Sequence, residues 1–169
     1  LAGEELAFVK TLLENDVRNN SAWNQRYFVF LDLFGNFSEE ALAKEVAETW
    51  EFVNAALRNE SSWSYLRGII NLADPDFRMS LQKEVLSMCK PLLKIAESVP
   101  MTALYVDLID ELLSAGEDAY IKDYGEAISA LDNLTSIDPI RALYWEFVKR
   151  KFMAAHAEIA EQKGCCLSS

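Results

Sequence analysis

Apolar residues recur along this chain every three or four positions with polar side chains between them, the spacing of one face of an α-helix. Leu42, Val46, Trp50, Val53 and Leu57 form one stripe, and Phe77, Leu81, Val85, Met88 and Leu92 form another. Others run through Leu6, Val9 and Leu13; Trp23, Tyr27, Phe30 and Phe34; and Trp63, Leu66 and Ile70. The second half adds Leu104, Leu108 and Leu112; Tyr120, Tyr124, Ile128 and Leu131; and Leu143, Phe147, Phe152, Ala155 and Ile159. Gly and Pro are scarce, at six and four, and no Asn-Gly or Asp-Gly hairpin turn occurs. The pattern predicts eight helices and no strand.

The breaks carry their own chemistry. Gly35-Asn36 ends the second helix, and Ser38 before Glu39 and Glu40 reads as a capped, acidic helix start. Asp74-Pro75 and Asp138-Pro139 each read as an N-cap Asp followed by Pro in the first turn. The helices thus fall into four pairs, 1–35, 38–72, 77–115 and 117–161, with 162–169 as a flexible tail. These pairs are related. Asn19-Asn20-Ser21-Ala22-Trp23 recurs as Asn59-Glu60-Ser61-Ser62-Trp63, a shift of 40 residues. Asp16 precedes Trp23 by seven positions, as Asp138 precedes Trp145. Trp23, Trp63 and Trp145 fit one period, with a degenerate repeat near Leu104. Helix pairs repeating every ~40 residues predict an all-α fold, an α-α superhelix of about four helical hairpins. The tetratricopeptide period of ~34 does not fit.

Composition narrows the function. Half of the 169 residues are hydrophobic, and 27 Asp+Glu against 16 Lys+Arg leave a net charge of −11. Such a surface repels phosphate backbones and anionic headgroups, which argues against nucleic acid and membrane surfaces as partners. No apolar run reaches the ~18 residues of a membrane span, and LAGEELAFVK carries charge too early for a secretory signal. Without an initiator Met, the chain reads as a fragment or a processed product. Cys89, Cys165 and Cys166 make no disulfide framework and fit a reducing, cytoplasmic compartment. With His156 as the single histidine and no C-x-x-C pair, a Cys/His zinc site is not expected. Gly-rich phosphate loops, G-x-S-x-G and H-E-x-x-H are absent too, so neither a catalytic residue nor a metal ligand is assigned.

At the start of each second helix, Asn or Ser can accept hydrogen bonds from the unpaired first-turn N–H groups. The Trp one turn inward then fills the space between adjacent pairs, so Trp23, Trp63 and Trp145 read as repeat core. Arg26 and Arg67 are polar and should project from the loop-facing end or concave side. There they would either pair with a partner's carboxylates or form solvated or intramolecular ion pairs.

DVRNNSAWNQRYFV (Asp16 to Val29) and NESSWSYLRGI (Asn59 to Ile69) resemble the repeats of protein prenyltransferase α subunits. The most similar branch is the one shared by protein farnesyltransferase and type I geranylgeranyltransferase. DPIRALYWEFVKRKF (Asp138 to Phe152) fits the closing part of the same subunits. The resemblance implies a crescent of helical hairpins wrapped on a catalytic β subunit. It further implies transfer of a farnesyl or geranylgeranyl group from its diphosphate to the cysteine of a C-terminal CaaX sequence. Zinc, in the β subunit, and magnesium are implied for the holoenzyme. The family's α subunit brings a Lys and a Tyr to the active site in an early Lys-Asn-Tyr-x-x-Trp repeat, which is missing here. Its nearest counterpart, Arg18-Asn19-Asn20-Ser21-Ala22-Trp23, has Asn where the Tyr should be. The chain therefore reads as the C-terminal part of an α subunit, holding β through Arg18, Asn19, Asn20, Asn24, Arg26, Asn59, Glu60, Tyr65 and Arg67. A free-standing α-solenoid adaptor that binds peptides is the alternative.

Weaker signals remain. Cys166 is fourth from the end, as in a CaaX box, but Ser168 is not aliphatic and no polybasic cluster precedes it; an inert tail is expected, with no stable membrane anchor. His156 is read as a surface or packing residue and Cys89 as core. Glu4, Glu5, Glu14, Asp16, Asp107, Asp110 and Glu111 lack an accompanying nucleophile and are read as solvated faces.

Overall fold

The computed structural model describes residues 2–33, 35 and 38–164. Eight α-helices are found among them: α1 (Ala2–Asn15), α2 (Asn20–Leu33), α3 (Glu39–Ala55), α4 (Glu60–Leu72), α5 (Pro75–Leu93), α6 (Val99–Ser114), α7 (Tyr124–Ile137) and α8 (Ala142–Gln162). Short 3₁₀ turns at Asp118–Asp123 and Pro139–Arg141 precede α7 and α8. No strand occurs among the described residues, so the all-α class expected from the periodicity is the one observed. None of the described helices is long and apolar enough to cross a membrane. Phe34, Asn36, Cys165, Cys166 and Ser168, which carried sequence expectations above, lie outside the described residues.

The chain divides into two compact units, one up to Leu81 and one from Gln82 onward. In the first, α1 packs on α2, α3 on α4, and α2 on α4. Val9, Leu13, Phe30, Leu42, Val53 and Leu66 are buried there. Trp23 meets Phe52 edge-on at 5.5 Å and Tyr65 at 5.1 Å, and Trp63 meets Trp50 at 5.8 Å. Ser38 caps α3 by accepting from the Ala41 N–H, and Asp74 accepts from the Phe77 N–H, as their sequence contexts predict.

In the second unit α7 packs between α6 and α8. α6 is sheathed almost completely: Met101, Leu104, Tyr105, Leu108, Ile109 and Leu112 are all buried. Ser98 caps its start through the Met101 N–H. Its end is closed by Gly116, whose φ of 85° suits glycine and lets the Gly116 and Glu117 N–H groups return to Leu113 and Leu112.

One expected stripe is out of phase. Of the residues assigned to the buried face of α8, Phe152 is buried and Ile159 half-buried, but Leu143, Phe147 and Ala155 are exposed; Trp145, read as core, is buried, and His156 and Ala160 join it. A helix turns 100° per residue, so apolar residues on both sides of Trp145 cannot all share its face. His156 is buried, with Nε2 2.6 Å from Asp110 Oδ1. Asp110 and Glu111 are therefore not merely solvated, since Glu111 also accepts from Gln82 Nε2.

Candidate functional site

The repeated motif builds the same turn three times. The N–H of Asn19, Asn59 and Arg141, each four residues before its Trp, donates to the backbone oxygen of Asp16, Ala56 and Asp138 respectively. Each indole N–H then reaches back over that turn. Trp23 donates to the Val17 carbonyl and Trp63 to the Leu57 carbonyl, both at 2.8 Å. Trp145 donates to the Asp138 carboxylate, also at 2.8 Å. A ring buried among apolar side chains thus keeps its one polar atom satisfied and fixes the loop.

The caps divide their labour differently from the sequence expectation. Asn19 accepts from the Ala22 N–H as a helix cap should. Asn59 makes no cap bond; its amide donates 2.7 Å to the Val17 carbonyl and ties the second hairpin to the first. Asp138 likewise leaves its helix uncapped, because its Oδ2 is taken by Trp145 and by Arg141 Nε at 2.6 Å. These bonds hold its carboxyl below the ordinary carboxylate range, the indole contributing most.

Arg26 is the main correction. It does not project outward: its side chain is fully buried between α2 and α3. Its Nε and Nη2 form a fork on Glu45 at 2.6 and 3.0 Å, and Nη2 reaches Glu48 at 3.0 Å. Desolvation works against the charge, but the bonds and field of Glu45 outweigh it, so the guanidinium is held above its ordinary pKa. Tyr65 completes the cluster by donating to Glu45 Oε1. Burial, then the Glu45 charge, pushes its phenol well above the ordinary range and keeps it a donor. The reason is geometric: Arg26 stands three residues after Trp23 and so shares its inward face.

Beside this cluster lies an open groove of about 450 Å³ between α2 and α4. Trp23, Tyr27, Tyr65 and Gly68 line it together with Phe28. Asn20, Asn24, Glu60, Ser61 and Ser64 add polar edges, and Ser61 Oγ donates to Asn20 Oδ1 at 3.0 Å. Gly68 keeps the wall thin, since a Cβ there would meet the Tyr27 ring at 3.2 Å. Of the nine residues proposed from sequence to hold a partner, Asn20, Asn24, Glu60 and Tyr65 converge on this groove. Arg18 is exposed on the preceding turn, Asn19 and Arg67 are half-buried, and Asn59 and Arg26 are buried.

Sequence reasoning missed Tyr27, Phe28, Ser61, Ser64 and Gly68. The available signal was register: positions one and five after Trp23 and Trp63 are Asn24, Phe28, Ser64 and Gly68. Among the groove-lining residues Glu60 is the one carboxylate, and no nucleophile–base pair is present. The groove can seat an apolar segment, hydrogen-bond it through amides and hydroxyls, and receive a cation at Glu60. Among the described residues there is no group of three or more His, Cys, Asp or Glu that could hold a metal.

Residues 3–33 match the family described as protein prenyltransferase alpha subunit repeat. The chain is 32% identical over 167 residues to the protein farnesyltransferase/geranylgeranyltransferase type-1 subunit alpha of Pisum sativum, across 90% of this chain and 49% of that one. The Arabidopsis thaliana protein of the same name is 32% identical over 168 residues, across 90% and 50%. The chain thus spans about half the length of these curated relatives. Among solved structures, a chain of the Candida albicans protein geranylgeranyltransferase-I complexed with GGPP matches with a TM-score of 0.67 and 22% identity. That match covers 88% of this chain and 46% of the other, and shows a shared fold.

Proposed function

We propose that this chain, which is 32% identical to two curated α subunits along nine tenths of its length and matches the prenyltransferase α-subunit repeat over residues 3–33, forms part of the α subunit of a heterodimeric protein prenyltransferase. The enzyme transfers a farnesyl or geranylgeranyl group from its diphosphate to a C-terminal CaaX cysteine in the cytoplasm. In this reading the chain is a scaffold that holds the catalytic β subunit. The observation that carries it is the likeness to two curated α subunits along nine tenths of the chain. The α2–α4 groove supports the scaffolding role, since it offers aromatic contact area and hydrogen-bonding groups without acid–base machinery. The adaptor alternative is not favoured by these relatives.

Zinc and magnesium belong to the holoenzyme in this reading. The described residues of this chain do not fit a metal centre, so no step is assigned to a metal held here. This chain's contribution is to bind and orient.

The test is reconstitution of the full chain with a farnesyltransferase β subunit. The expected result is a stable 1:1 complex of the chain with the β subunit. A β subunit that does not copurify with the chain would overturn the proposal.

A further inference from the structure

We draw no further inference here: the strongest candidate, the row of exposed apolar side chains at Ile140, Leu143, Tyr144 and Phe147 on the solvent face of α8 and the turn before it, is an unpartnered face, and nothing in the structure shows what covers it.

Discussion

Arg26 is fully buried, with α3 and the Tyr65 ring of α4 beside it, and still carries its charge, held by Glu45 and Glu48. Removing one member of a buried pair leaves the other charge uncompensated, at a cost of ~3–5 kcal/mol, whereas replacing both by apolar groups costs far less. Arg26→Met should therefore shift a urea transition by about that amount, and Arg26→Met with Glu45→Leu and Tyr65→Phe should recover much of it. Equal losses in the two would show that volume, not charge, holds this site. Trp23→Ala and Trp63→Ala should each cost ~3–5 kcal/mol, because each removes a buried ring. Cys89 gives a complementary readout. Burial pushes its thiol up to about 12, so the native state keeps it protonated and unreactive. An acid raised in this way favours the folded state fully below the ordinary thiol range, near ~8.5, and loses that contribution as pH climbs toward the native value. In a Cys165→Ser/Cys166→Ser background, Ellman's reagent should label Cys89 only at denaturant concentrations where the helices melt. Labelling that precedes unfolding would contradict its burial.

Helix number and the capped starts at Ser38 and Asp74 were legible at the scale of elements, because caps and 3.6-residue periodicity are local. Asn59 and Asp138 were read as caps and are not. Each has a partner other than its own helix start: the Val17 carbonyl 42 residues away for Asn59, and the Trp145 indole seven residues further on for Asp138. The phase of α8 was misread for the same reason, since an exposed Leu143 looks like core until Trp145 is placed. The third repeat is degenerate because Thr102 stands four residues after the Ser98 cap, where a Trp follows Asn19 and Asn59. The Asp138 lock gives a prediction at this scale. Its carboxyl is lowered chiefly by the Trp145 indole, so its stabilising contribution is present above the ordinary carboxyl range of ~3.9 and is lost as pH falls through the native value. Asp138→Asn keeps an acceptor for the indole but no charge. Its stability deficit against wild type should be constant near neutrality and close below pH ~4. A deficit that stays constant into acid would show that the charge contributes nothing.

For the whole molecule, net charge and the missing catalytic motifs spoke clearly from composition, whereas the candidate groove did not. Asn20, Asn24, Glu60 and Tyr65 were named from the repeated motif, but Tyr27, Phe28 and Gly68 join them only when α2 and α4 pack. Arg26, read from sequence as meeting either a partner's carboxylates or an intramolecular one, takes the second course inside the fold, which leaves Glu60 as the groove's charged group. An isoprenoid diphosphate needs preorganised cations or N–H donors aimed at its departing oxygens. This chain carries −11 overall, its open groove has a carboxylate at the edge, and Arg26 is committed to Glu45 and Glu48. Long-range repulsion and the local chemistry therefore act in the same direction. The purified full chain, assayed without a β subunit, should show no saturable binding of farnesyl or geranylgeranyl diphosphate and no transfer to a CaaX peptide. The Glu60→Lys variant, which removes the local carboxylate, should still show no transfer, because a single cation does not assemble a reacting thiolate beside a leaving diphosphate. Stoichiometric diphosphate binding or turnover by the unpartnered chain would mean that catalytic groups lie within it, and would overturn the proposal that it is a scaffold.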